Sequence, residues 1–182
     1  MMLASTIRFS TFPRTESPPH FLPSIVSVFT RHHDGISTAQ LAKGLTSDVV
    51  LERLREDLMA LGFEVEAGKQ AVNKIRRPVF FGENAVPSLQ YQIDPWQPQW
   101  RAGLEIEAGR AWMGNAVYRD LVQALVMVNL DHLVLAVPNA YRYMSSGKSV
   151  VSNDYGSTIA VADALYGHSR VRMPFSLCVI GY

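Results

Sequence analysis

The run His132-Leu133-Val134-Leu135-Ala136-Val137-Pro138 constrains the fold more than any other part of the chain. Its apolar residues follow one another without polar alternation, so a strand built from them must be covered on both faces. That requirement points to a sheet with helices on each side. Pro138 ends the run. A second run of the same character, Phe175-Ser176-Leu177-Cys178-Val179-Ile180, predicts another buried strand near the end of the sequence.

Helical periodicity fills the intervals. The spacing of Val50, Leu51, Leu54, Leu58 and Leu61 predicts a helix over 48–61, with Thr46 or Ser47 as N-cap, Asp48 in the first turn and Gly62 as its stop. Asn115 caps a second predicted helix that reaches about 129 and carries Val117, Leu121, Ala124, Leu125 and Val128 on one side. A third is expected over 155–166. Segments 63–66, 78–81, 89–94 and 102–107 have strand character and are separated by Gly, Pro and Asn, which implies hairpins. The expected fold class is α/β, a central mixed sheet flanked by helices.

With 182 residues the chain suits one domain over 1–182 with a single core. Within it, 1–23 reads as an N-terminal arm rich in Ser, Thr and Pro with a short strand at 6–11. The core spans 46–138, and 139–182 reads as a C-terminal helix and strand extension preceded by a polar loop at 141–153. A short helix over 24–33 is expected to end before the turn dipeptide Asp34-Gly35. Hydrophobic residues at 48% against 18% charged exclude a disordered chain. Seventeen Lys and Arg against sixteen Asp and Glu give a net charge of +1, which excludes a polybasic binder acting by bulk electrostatics. The lone Cys178 has no internal disulfide partner and reads as a buried strand residue, consistent with a reducing compartment. No segment approaches the roughly 18 apolar residues of a membrane helix, so a soluble cytoplasmic protein without a membrane partner is expected. His32 and His33 are adjacent and point to different sides of a helix, with no third ligand nearby, so they are not read as a metal site.

The chemistry is concentrated in Gly103-Leu104-Glu105-Ile106-Glu107-Ala108-Gly109, with Asp94 eleven residues before Glu105. Strand residues two apart share a face, so Glu105 and Glu107 project together while Leu104 and Ile106 turn into the core. A hairpin through 95–101 would bring Asp94 alongside. Like charges packed beside an apolar core raise one another's pKa and call for a cation. Oxygen ligands in this number suit Mg²⁺ or Mn²⁺, with the carbonyl of Ile106 and waters completing the shell. On spacing alone the alternative stays open that Glu105 and Glu107 face solvent on a one-sided sheet.

The pattern Asp94-x10-Glu105-x-Glu107, followed by a helix with Asn115, Arg119 and Asp120, resembles the PD-(D/E)xK superfamily of restriction-endonuclease-like nucleases. The segment LEIEAGRAWMGNAVYRDL is similar to that of its BamHI/BglII-like branch, in which an acidic strand precedes an Arg-Asp helix. The superfamily's usual lysine after the second carboxylate is here Glu107. The resemblance implies a restriction-endonuclease-like core and a divalent-metal-dependent endonuclease of the type II restriction or repair kind, acting on double-stranded DNA. Asp94, Glu105, Glu107 and the Ile106 carbonyl are the expected metal ligands, with Glu107 the acceptor of the attacking water's proton. By analogy a homodimer and a cognate DNA methyltransferase are expected partners. The missing lysine also admits a catalytically inactive domain of the same fold that binds nucleic acid or protein.

Several residues have two readings. Arg119 and Gln123, one turn apart, either support the strand or reach phosphate, although for Arg119 an ion pair on the helix surface is the plainer role. Arg110 either contacts phosphate or is solvated. Lys69, Lys74, Arg76 and Arg77, and later Lys148, Arg170 and Arg172, either contact phosphates or form solvated faces. Trp96, Trp100 and Trp112 pack over the hairpin or, alternatively, stack on bases. The near-duplicate strand 62–69 places Glu64 and Glu66 as edge-strand charges, with an extra acidic ligand as the lesser reading. His132 and His168 have no partners at triad-like spacing and receive no catalytic role.

Overall fold

The computed structural model describes residues 7–38, 41, 44–66, 74–109 and 115–182. Five strands form the central sheet in the order β1-β9-β6-β5-β4, where β1 is Arg8–Phe12, β4 Trp96–Gln97, β5 Ala102–Ile106, β6 His132–Val137 and β9 Ser176–Gly181. β5, β6 and β9 run parallel, and the edge strands β1 and β4 pair antiparallel to β9 and β5. The sheet is therefore mixed, and the two unbroken apolar runs supply its interior strands β6 and β9. The N-terminal arm contributes the edge strand β1.

Alternate residues of β6 face separate cores. Leu133, Leu135 and Val137 pack with Val117, Leu121 and Ala124 of α4 (Ala116–Val126) and with Val161 and Ala162 of α5 (Asp154–Gly167). Val134 and Ala136 face the opposite layer with Ile25 and Phe29 of α1 (Leu22–Arg31), Ile36 of α2 (His33–Ile36) and Val50, Leu54 and Leu58 of α3 (Ser47–Ala60). Each fully buried side chain of this size contributes on the order of 1.5–3 kcal/mol of burial. The helical stripe expected over 48–61 is thus the inner face of α3, and Thr46 caps it by accepting a bond from the Val49 N–H at 3.4 Å.

Four local expectations are corrected. Segment 63–66 makes a single bridge, Glu64 to Trp96, rather than a strand. The strand segments 78–81 and 89–94 belong to a separate antiparallel hairpin, β2 (Arg76–Phe81) with β3 (Pro87–Gln92), and do not pair with β5. Asp34-Gly35 does not end the first helix in a turn; it lies inside α2, whose first bonds run from the Gly35 and Ile36 N–H groups to the His32 carbonyl. The polar loop at 141–153 is a hairpin of β7 (Tyr141–Ser145) and β8 (Lys148–Ser152). Its two-residue turn, Ser146-Gly147, has φ of 51° and 76°, the paired positive values that match the twist of antiparallel strands. Among the described residues no helix is long and apolar enough to cross a membrane.

Candidate active site

Asp94 stands just ahead of a short hairpin in which β4 and β5 are joined through 98–101. β4 pairs with β5 so that Trp96 lies opposite Gly103 and Gln97 opposite Ala102. The Leu104 N–H donates to the Pro95 carbonyl at 2.9 Å, which carries the pairing one residue further. Extended by one more pair, this register brings the backbone of Asp94 alongside that of Glu105, and both residues line one cleft. Ile93, one residue earlier, is buried against Gly103, whose missing side chain makes room for it: a Cβ there would lie 1.9 Å from Ile93 Cδ1.

Glu105 and Glu107 turn towards the α4 face while Leu104 and Ile106 enter the opposite core. They meet Arg119 and Asp120 from the first turns of α4. Arg119 Nη2 donates to Glu107 Oε1 at 2.9 Å, and its Nε donates to Asp120 Oδ1 at 2.9 Å. Asp120 is 4% exposed, and its Oδ2 finds no donor among the described residues. Both plain readings of Arg119 are met in one geometry: it makes the ion pair and it holds the strand carboxylate. Gln123 lines the same cleft one turn on.

Glu66 departs from its expected place on an edge. Glu64 is exposed, but Glu66 is buried, because its backbone N–H donates to Asp94 Oδ1 at 2.9 Å and its carboxylate turns inward. There it accepts the Ile75 N–H at 3.0 Å and pairs with Lys74. The result is a cleft of about 610 Å³ lined by Glu66, Lys74, Asp94, Glu105, Glu107, Arg119 and Asp120, with Asp48 at its side.

Six carboxylates against two cations make this cleft electrically uncompensated. Burial pushes the Glu105 carboxyl well above the usual range, and Asp120 and Glu107 push it further. Glu107 is raised to about 7, chiefly by burial and then by Asp120, with Arg119 pulling the other way. Asp120 is raised by burial against the opposing pull of Arg119. Asp94 is raised by burial, partly offset by the Glu66 N–H it accepts.

The donor chemistry fits a hard divalent cation: carboxylate oxygens, the adjoining Ile106 carbonyl and a buried Asp120 oxygen lacking a donor. Among the described residues no three His, Cys, Asp or Glu side chains already form one ligand shell. Arg119 ties Glu107 to the helix, while Asp94 and Glu105 line the same cleft. Two carboxylates with water and phosphate oxygens are an ordinary set for Mg²⁺.

The other candidates are distributed more widely. Arg110, Lys69 and Trp112 lie outside the described residues. Trp96 is buried beneath the Arg77 guanidinium, 4.4 Å from its ring centre, and Trp100 stacks on Phe21 at 4.5 Å, so both pack within the fold. Arg76 on β2, Lys148 on β8, and Arg170 and Arg172 in the connection between α5 and β9 are exposed. His32 bonds Asp57 at 2.7 Å, joining α1 to α3, and His132 Nδ1 meets Ser176 Oγ at 2.6 Å between neighbouring strands. Burial raises the Cys178 thiol to about 12, so it is not a thiolate at neutral pH. Sequence reasoning gave Glu66 a ligand role only as the lesser reading and gave Asp120 none; the only local signal for Asp120 was its place beside Arg119.

The chain is similar in structure to the restriction endonuclease BglII complexed with a DNA 16-mer: TM-score 0.52, 9% sequence identity, covering 97% of this chain and 75% of that one. The fold is restriction-endonuclease-like. No family model and no curated protein matches the sequence. At this identity the likeness establishes architecture, and the carboxylate cleft lies at the C-terminal end of β5 within it.

Proposed function

We propose that this protein is a divalent-metal-dependent endonuclease that hydrolyses DNA phosphodiester bonds, of the type II restriction or repair kind. The observation that carries this reading is that Asp94, Glu105 and Glu107 line one open cleft at the end of β5 in a restriction-endonuclease-like fold. The DNA in the structural neighbour's complex supports DNA as the substrate. Asp94 and Glu105, with the Ile106 carbonyl, would hold Mg²⁺ or Mn²⁺. When bound, such an ion neutralises phosphate charge and makes water more acidic.

The chain's own groups account for the remaining steps. Glu107, with a proton affinity near neutrality, accepts the proton of the attacking water as its oxygen bonds to phosphorus. One phosphorus–oxygen ester bond breaks, and the departing oxygen takes a proton from solvent. Arg119 fixes the Glu107 carboxylate for this transfer. A homodimer, bringing two such sites to two strands, and a protecting methyltransferase belong to the same proposal.

The test is incubation of purified protein with plasmid DNA and Mg²⁺ or Mn²⁺. Nicking or linearisation is expected, and Glu105→Ala should abolish it while the melting temperature shows a folded chain. A second reading, an inactive binding domain, draws on Arg119's hold on Glu107. Retardation of DNA in a gel without any cleavage would favour it and refute the nuclease.

A further inference from the structure

Two cations line the cleft, and both are paired there, Arg119 with two carboxylates and Lys74 with one. Arg119 is bound to both Glu107 and Asp120. Position 107, two residues after Glu105, holds an acid, so β5 itself brings no positive group to the site. Lys74 enters from the segment ahead of β2 and lines the same cleft as Asp94, Glu105 and Glu107.

Its placement is built rather than incidental. Glu66, a buried carboxylate, receives the Lys74 ammonium on Oε2 and the Ile75 N–H on Oε1. The same residue donates its backbone N–H to Asp94 and accepts Arg55 Nη1 on its carbonyl at 2.8 Å. One residue thus ties the lysine to Asp94, which lines the cleft with Glu105. An ammonium has three donors, and Glu66 takes one. The Lys74 side chain is 26% exposed and lines the open cleft together with Asp94 and Asp48.

We propose that Lys74 is the substrate-facing cation of this cleft, donating from its ammonium to a nonbridging oxygen of the scissile phosphate, and that Glu66 is its positioning residue. This rests on the phosphodiesterase reading. A lysine that merely neutralised Glu66 would affect folding and leave turnover unchanged.

The experiment uses the full chain with Lys74→Met, Lys74→Arg and Glu66→Gln. Single-turnover cleavage of a short duplex at saturating enzyme with Mg²⁺ should fall about a hundredfold in Lys74→Met, the scale of losing one aimed donor. Lys74→Arg should recover part of the rate. Glu66→Gln should slow turnover more than it weakens binding. In EDTA, the dependence of log affinity on log salt for the same duplex should lose about one phosphate contact in Lys74→Met, a slope change near 0.9. An active wild type with Lys74→Met cleaving at the same rate, or with a rate loss that follows its melting temperature and leaves the salt slope unchanged, overturns the inference alone. A wild type that cleaves no DNA with either ion overturns the phosphodiesterase reading and this inference together.

Discussion

Replacing Glu107 with Gln should make the metal-free protein more stable at pH 8 and leave it almost unchanged at pH 4.5. The Glu107 carboxyl has an ordinary value of 4.5 and is raised to about 7 in the folded chain, with its side chain 15% exposed. The folded state therefore holds this proton more tightly than the unfolded chain does. Stability from Glu107 is fully present below pH 4.5, declines as pH rises, and is lost above about 7. At about 1.4 kcal/mol per tenfold in proton affinity, the penalty above pH 7 is on the order of 3 kcal/mol. For a chain of this size that corresponds to roughly 6–12 °C, from about 2–4 °C per kcal/mol. Gln keeps a carbonyl oxygen for Arg119 and removes the charge that opposes Asp120 and Glu105. His132 works in the opposite direction, because burial lowers its proton affinity and its contribution improves as pH rises. That effect is common to both proteins and cancels in their difference. Melting temperatures of wild type and Glu107→Gln, measured in EDTA from pH 4.5 to 8, should diverge steadily in favour of the variant. A difference that stays flat, or that favours wild type at pH 8, would refute the claim that Glu107 is held against its preferred ionisation.

Mg²⁺ should reverse the same penalty: titrated into wild type at pH 8 without DNA, it should raise the melting temperature, by about 2.7 kcal/mol equivalent at a hundred times its Kd. Asp94→Asn with Glu105→Gln should remove that response while leaving the chain folded. Gly103→Ala should destabilise by about 1–3 kcal/mol in chemical denaturation, since its Cβ would meet Ile93 Cδ1 at 1.9 Å and Leu130 Cδ1 at 3.3 Å. Adding Ile93→Val should recover part of that loss, and a strictly additive double variant would count against this contact.

What could be read along the chain, and what could not, divides by distance in sequence. The unbroken apolar runs of β6 and β9 had to be covered on both faces, and the structure covers them with α4 and α5 on one side and α1 to α3 on the other. The stripe Val50, Leu54 and Leu58 needed only its own periodicity to define α3. Glu105 and Glu107 share a face because strand geometry leaves them no choice. Asp94 was placed by counting; it lines the same cleft as Glu105, and the strand that pairs with β5 is β4, two residues long, rather than the longer strand before it. That longer strand departs because its partner β2 carries Arg76, Arg77 and Pro78, which suit a solvent-facing hairpin better than a buried sheet. The β7–β8 hairpin carried a readable signal in Ser146-Gly147, masked by a composition that resembles a loop. Glu66 and Lys74 were legible only as lesser readings, an extra acidic ligand and a phosphate contact, and Asp120 only as Arg119's neighbour, since each enters the cleft from a segment whose local pattern is indifferent to it. Their convergence is enforced by single bonds made at a distance: the Glu66 N–H to Asp94 across 28 residues and Arg119 to Glu107 across 12. A site assembled this way concentrates unfavourable charge that neither helix nor strand preference records. The fold can hold it because the two hydrophobic layers on either side of β5 stabilise the strand independently of what its carboxylates would prefer.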